Sequence, residues 1–411
     1  MKHYKFLVTT VCLLFFATYT VIGQEAKEKK EKKEKKVSII PLPVLAANPT
    51  TGFMIGIAPG FNWRMGDPKN TSMSTALGLA VYTANKQLFT SLRANAFLAE
   101  DKWNLLTDIR FNLNSQPTYG LGTKIELSSQ TIVGDDGEVS DDPYNKVPRQ
   151  EMMAFTQVRF YQTILKRHQD TRFFYGLGYH LDLISNIEDK QLDLNAVPPR
   201  ETFHYQYQTL KGISTEKYTQ SGVSLNLAFD SRDNVANPYK GKYAFARFTV
   251  NPKFIGSTTN TSQLWLEYRD YLPLSKTRPR NLLAFWTYGW FSTSGKIPYL
   301  FLPAVGWDMF SRSGRPYTQG RFRGENLAYG EAEWRIPLQK TKDRFGAVIF
   351  LNTTTASNKL YDIGLLDYFQ FGYGAGLRVQ ISAKNRINLC LDYGFGAHGA
   401  NGFFLQLNEA F

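Results

Sequence analysis

Hydrophobic and polar residues alternate with a period of two from about Gly52 to the end of the chain. In 369–381, Phe369, Phe371, Tyr373, Ala375, Leu377, Val379 and Ile381 share one face, and Gln370, Gly372, Gly374, Gly376, Arg378 and Gln380 share the other. That pattern is a strand with one apolar and one wet face, which a helix could not keep apart. It recurs with Val223, Leu225, Leu227 and Phe229 against Ser224, Asn226 and Ala228. It recurs again with Ile387, Leu389, Leu391, Tyr393 and Phe395 against Asn388, Cys390, Asp392 and Gly394. The pattern predicts sixteen strands, near 52–65, 71–83, 86–98, 103–113, 118–130, 151–166, 172–184, 219–229, 242–252, 261–272, 281–292, 327–338, 345–354, 369–381, 386–396 and 402–411.

The links between these strands are unequal. The long ones, 131–150, 185–218, 293–326 and 355–368, all follow odd-numbered strands. Even-to-odd links such as Thr83-Ala84-Asn85 are short. Short turns on one side and long loops on the other are the signature of an outer-membrane barrel. The expected fold is therefore all-β, a 16-stranded antiparallel transmembrane β-barrel in which 293–326 is the sixth external loop. A soluble sandwich would need shorter strands and a two-sheet core.

Composition agrees with this fold. Aromatic residues make up 15% and charged residues only 20%, a balance that suits an apolar outer wall around a polar lumen. The N-terminus reads as a secretory signal over 1–23, with Lys2 and Lys5 ahead of an apolar core from Phe6 to Ile22 and a small-residue site at Gly23. Residues 24–45 are expected to be a periplasmic spacer and lead-in that includes a Lys/Glu run, and 46–411 the barrel. The two leader lysines and that run's excess of three lysines over glutamates account for five of the +13 formal charges. The remaining basic residues are dispersed, with no motif for base stacking or groove entry, so nucleic acid is excluded as a partner. Beyond the leader the one cysteine is Cys390, which leaves no intramolecular disulfide.

Four motifs, in order along the chain, resemble the outer-membrane barrel-assembly family, also called the bacterial surface antigen family, which includes the BamA and TamA barrels. Pro43 through Gly56, entered by Asn48-Pro49-Thr50-Thr51-Gly52, is similar to its first strand. Asp230-Ser231-Arg232-Asp233 with Asn237-Pro238 and Gly241 is similar to its mid-barrel turn. Gly320-Arg321-Phe322-Arg323-Gly324 and Glu333-Trp334-Arg335-Ile336-Pro337-Leu338 are similar to its sixth-loop motif and the strand that follows. Leu391-Asp392-Tyr393-Gly394 with Phe411 is similar to its closing strands. Glu325 stands where the family has an aromatic, and Asn352 where an acidic partner for the arginine is expected. No counterpart of the periplasmic POTRA domains that most members of the family carry is expected ahead of the first strand.

The sixth-loop motif also has a physical reading. Strand 327–338 sets Tyr329, Glu331, Glu333 and Arg335 on the lumenal face against Ala328, Ala332, Trp334, Ile336 and Leu338. A loop of this length can fold inward, where Arg323 would meet Glu331, Glu333 or Asp392 in bidentate contact. The resemblance implies the same tucked loop. It also implies a barrel that assists insertion or translocation of polypeptides through a lateral seam, working with outer-membrane lipid, unfolded outer-membrane polypeptides and a separate periplasmic delivery protein. The seam is expected between strands 52–65 and 402–411, where Gly52, Gly56, Pro59 and Gly60 weaken the ladder and Phe411 closes the sheet. The alternative is a structural or passive pore-forming barrel without assembly activity. An enzyme is not expected, because no Gly-x-Ser-x-Gly elbow and no histidine pair at metal-ligand spacing occurs; no metal or cofactor is expected either.

Overall fold

The computed structural model describes residues 37–411 except 42, 49–51, 68, 126, 134–138, 310, 341–343 and 384–385. The leader and the Lys/Glu run lie outside the described residues. Antiparallel pairing links sixteen staves in chain order, and they form an all-β barrel. The first stave is Val37–Ile40 with Pro43–Asn48, and the second is Gly52–Ile57 with Gly60–Trp63. Ser74–Thr83, Leu88–Phe97 and Trp103–Thr118 are the third to fifth, and Glu151–Arg167, Phe173–Asp189, Tyr218–Asp230 and Gly241–Asn251 the sixth to ninth. Thr261–Pro273, Leu282–Gly295, Asn326–Pro337 and Phe345–Ala356 are the tenth to thirteenth. Gln370–Ser382, Ile387–Gly396 and Asn401–Leu407 complete the sheet.

The period-two pattern appears in three dimensions as an inversion of soluble-protein burial. In the eighth stave Leu225 and Leu227 are exposed at 64% and 62%, while Ser224 and Asn226 are buried. Leucines that face outward on every second position need a hydrocarbon solvent.

Two of the sequence-based expectations are corrected, and the corrections cancel in the strand count. The stretch 118–130 is not a stave. Trp103–Thr118 pairs directly with the sixth stave, with Thr118 opposite Glu151 and Trp103 opposite Lys166, and Leu127–Val133 forms its own hairpin with Val139–Pro148. Alternation identifies a strand but not its partner, and here the partner is local. The missing stave lies before residue 52: Val37 pairs with Trp63, Ile40 with Gly60, Pro43 with Ile57 and Asn48 with Gly52. Pro41 and Pro43 interrupt the alternation there, so the segment reads as a lead-in. From the sixth stave onward the numbering is unchanged, and 296–325 is still the sixth odd-to-even link. The early turns change sides: 84–87 now joins the third stave to the fourth and falls with the long links, 119–150, 190–217, 296–325 and 357–369.

One helix, Phe203–Lys211, lies in the link 190–217. Thr202 caps it by accepting from the Tyr205 amide, and Gly212 ends it in the left-handed conformation. It packs onto the sixth loop, where the Tyr207 hydroxyl donates to the Ile297 carbonyl at 3.0 Å and Gln208 Oε1 accepts from the Tyr299 amide at 3.2 Å.

Candidate functional site

The loop 296–325 folds into the lumen and lies against staves eleven to fifteen. Its descending segment is held residue by residue. Ser313 shares a hydrogen bond with the Tyr288 hydroxyl at 2.9 Å, and the Gly314 amide donates to the Tyr329 hydroxyl at 3.1 Å. The Tyr317 hydroxyl donates to the Phe371 carbonyl at 2.6 Å and accepts from the Ala397 amide at 2.9 Å. At two points the loop lies directly on glycines of the wall. A Cβ on Gly372 would sit 2.4 Å from the Arg315 carbonyl oxygen, and one on Gly396 2.7 Å from the Tyr317 ring.

Between those contacts stands the arginine that meets the acids, and it is Arg315 rather than Arg323. Its guanidinium donates to Glu331 and Asp392, and to Glu333 Oε1 at 2.5 Å. The Phe350 ring packs 4.0 Å from its Cζ. Asn352, at the position where an acid was expected, instead donates its amide to the Arg315 carbonyl at 2.6 Å. The three carboxylates expected as partners are thus brought together, but by a residue eight positions earlier. Arg315 lies next to Pro316 outside any motif, so sequence reasoning had no signal for it beyond a basic residue within reach.

Arg323 is buried in the loop itself. Nη1 donates to the Tyr299 carbonyl at 3.0 Å, and the guanidinium lies over the Tyr299 and Trp307 rings, each 5.2 Å away. Its carbonyl accepts from the Gly122 amide at 2.6 Å, which stitches the third and sixth external loops together. The rest of the motif builds this knot. Gly320 takes φ +79°, which suits glycine, and Arg321 lies 3.9 Å from the Tyr119 ring. Phe322 packs edge-on against Tyr317 at 4.7 Å, and a Cβ on Gly324 would collide with the Ser357 carbonyl at 2.1 Å. The motif organises the loop, and Arg315 anchors it to the wall.

The anchor belongs to a closed ring of six alternating charges. From Arg315 the ring runs to Glu333, then to Arg335 at 2.8 Å and on to Glu409 at 3.9 Å. Glu409 meets Arg378 at 2.7 Å, and Arg378 meets Asp392, which returns to Arg315. Glu331 hangs on Arg315 and accepts from the Tyr329 hydroxyl. Geometry of this kind is what keeps desolvated charges tolerable. Glu409 lies beyond the sixteenth stave. Burial raises its pKa, but Arg378 and Arg335 together with a hydrogen bond from Asn388 outweigh that and hold it at about 2.

Phe411 follows Glu409 inward. It is buried in the lumen 5.4 Å from the Trp286 ring and 6.3 Å from that of Tyr271, with its backbone oxygen 2.9 Å from Arg335 Nη2. It does not extend the closing stave as expected, because the last ladder residue is Leu407 and Arg335 with the aromatic cluster draws the next four residues inward. Gly52, Gly56, Pro59 and Gly60 are likewise not at the sheet edge. Gly52 and Gly56 pair with Asn48 and Val44 of the first stave. On the other side Gly56 pairs with Val81 and Gly60 with Leu77 of the third, and the Gly78 amide donates to the Pro59 carbonyl at 2.9 Å. The edge moves one stave earlier, to 37–48.

The mid-barrel turn between staves eight and nine closes with Asx geometry. Asp230 takes a bidentate hydrogen bond from Arg232 at 2.9 and 2.6 Å, Asp233 accepts from the Tyr239 amide at 2.9 Å, and Gly241 takes φ +107°. The turn, which includes Pro238, does not simply reverse the chain. Asp233 pairs with Arg386 at 2.7 Å, and Arg386 lies 4.0 Å from the Tyr239 ring. Arg386 sits in the turn between staves fourteen and fifteen, so the two turns meet across the mouth.

The profile of the Omp85 superfamily domain matches residues 54–402. Among curated proteins, none matches the chain. Among solved structures, the chain is similar to BamA from Haemophilus ducreyi lacking POTRA domains 1–3, with a TM-score of 0.55, 13% identity, and coverage of 92% of this chain and 71% of that one. It is also similar to CdiB from Acinetobacter baumannii, with a TM-score of 0.50 and 12% identity over 90% of this chain. It spans 60% of the length of the CdiB chain.

Proposed function

The chain belongs to the Omp85 superfamily of outer-membrane barrels, and from that premise we propose that it assists insertion or translocation of polypeptides through a lateral seam between the first and sixteenth staves. The observation that carries this reading is the inward turn of the closing segment. The sheet's last ladder residue is Leu407, and Glu409 to Phe411 are held in the lumen by Arg335, Arg378 and Asn388. The closing stave is therefore seven residues long, and a short edge leaves backbone donors and acceptors able to template an incoming strand. The filled lumen supports the same choice over a passive pore, since the sixth loop, the turn 231–240 and the chain end occupy the path a solute would take. The working partners are outer-membrane lipid, an unfolded outer-membrane polypeptide as client, and a separate periplasmic protein to deliver it.

The test is reconstitution in liposomes with an unfolded β-barrel client, read as the rate at which the client becomes heat-modifiable on SDS gels. The protein should accelerate client folding. A disulfide joining the first and sixteenth staves, introduced after Cys390→Ser, should abolish the acceleration, and reductant should restore it. Full activity of the oxidised form refutes the seam, and no acceleration by the unmodified protein transfers the reading to a passive barrel.

A further inference from the structure

Between the inserted loop and the turn 231–240 lies a lumenal cavity of about 190 Å³, room for roughly six waters at the liquid volume of each. Six arginines line it: Arg93, Arg159, Arg232, Arg247, Arg269 and Arg312. Five have an oxygen partner. Arg93 lies 3.9 Å from Asp108, Arg159 2.8 Å from Asp182, Arg232 2.6 Å from Asp230 and Arg269 2.6 Å from Glu267, while Arg312 donates to the Glu409 carbonyl.

Arg247 is the exception. Among the described residues it has no hydrogen bond and no ion pair within 4 Å; the Trp265 ring lies 5.8 Å away, and Glu267 and Asp182 act on it only through space. The reason is visible in the neighbouring groups. Glu267 takes hydrogen bonds from Arg269, Trp265 and Trp286. Asp182 takes two from Arg159 and another from the Tyr161 hydroxyl. Asn226, directly across the ladder from Arg247, commits its amide to Ser224. The carboxylates near Arg247 are thus committed to other donors, and Arg247 lines the cavity with its planar fork of donors beside an Asn226 side-chain oxygen that has no hydrogen-bond partner.

The walls around it are aromatic. Trp265 stacks on Tyr288 with centroids 4.5 Å apart and meets Trp290 edge-on at 5.6 Å, and Tyr161 completes the lining. A guanidinium without a hydrogen-bonded partner in a partly desolvated, aromatic-walled space favours a planar anion that accepts in bidentate fashion. The geometry points to a carboxylate-binding site at Arg247 that takes a carboxylate carried on a small aromatic or apolar body. Two sources share that chemistry, an acidic side chain of a polypeptide in the lumen and a free aromatic acid. The inference stands apart from the assembly reading, because binding is measured directly whether or not the seam opens.

Titration calorimetry on the full chain in detergent micelles tests it with four probes: benzoate, benzamide, N-acetyl-phenylalanyl-glutamate amide and the glutamine version of that dipeptide. Saturable binding is expected for the carboxylates and none for the neutral isosteres. Arg247→Gln should weaken it at least about tenfold. Arg247→Lys, which keeps the charge without the fork, should lie between, and it decides the matter if the glutamine variant loses heat-modifiable folding. Binding of the dipeptide alone assigns the polypeptide source, binding of benzoate alone assigns the free acid, and binding of both leaves the site as stated. Absence of binding by either acid, or equal affinity in folded Arg247 variants, overturns the proposal.

Discussion

Arg378 and Glu409 are 31 positions apart in the chain and 2.7 Å apart in the lumen. Their contact joins the fourteenth stave to a segment beyond the last one, and through Asp392 it reaches Arg315 in the sixth loop. Removing a single member therefore acts on both the loop and the chain end.

Arg315→Ala should be the most damaging single change in the loop. It leaves Glu331, Glu333 and Asp392 with less compensation in a buried site, at a cost of about 3–5 kcal/mol. Limited proteolysis should cut the loop 296–325 faster, and the temperature of the SDS-gel mobility shift should fall. Arg323→Ala should loosen the knot with the third external loop while leaving the acids paired. Equal effects of the two on loop cleavage would count against the division of roles drawn above.

Glu409 gives the ring a pH dependence with a definite sign. Its carboxyl is held at about 2 against an ordinary 4.5, so its contribution is complete above about pH 4.5 and is lost as pH falls toward 2. Wild type should lose more thermal stability than Glu409→Gln between pH 5 and pH 2.5, and parallel curves for the two proteins would contradict the assignment.

Gly372→Ala would force a methyl group to within 2.4 Å of the Arg315 carbonyl. Overpacking of this kind costs about 1–3 kcal/mol. The loop, not the barrel, should respond, with faster proteolysis of 296–325 and an unchanged β-rich circular-dichroism spectrum. Gly399→Ala, whose added carbon would meet nothing within 4 Å, serves as the comparison for backbone strain at φ +74°.

Cross-links resolve which boundary opens. A disulfide between the first and second staves, for example at the paired positions Ser38 and Asn62, should leave client folding intact, whereas one between the first and sixteenth should stop it. Inhibition by both, at matched oxidation, would contradict the assignment of the opening to the first and sixteenth staves.

Much of the fold was legible because lipid and lumen impose opposite solvents on successive residues, and a two-residue period survives in the chain as written. Leu225 against Ser224 needs no tertiary information. The period does not show Val37–Asn48 as a stave of its own because Pro41 and Pro43 interrupt it, although the family resemblance begins its first strand at Pro43. The pairing of Trp103–Thr118 with Glu151–Arg167 was missed because a local hairpin intervenes. At the site, the acids Glu331, Glu333 and Asp392 could be read from their lumenal parity. Arg315 could not, since a loop residue has no parity, and only the path of the loop decides which arginine arrives. The inward course of Phe411 was hidden for the same reason, as its contacts with Trp286 and Tyr271 come from distant staves.

The ring of charges also has a mechanical meaning. Loop 296–325 enters the lumen from the side of the long loops, whereas Glu409 and Phe411 lie near the end of the twelfth stave that carries Arg335 and Pro337. One circuit of ion pairs thus fastens an element from one face of the membrane to an element near the other. Tension on the chain end is borne by the loop, and a loop held fast from outside resists withdrawal of the chain end, so the barrel carries a load path along its own axis.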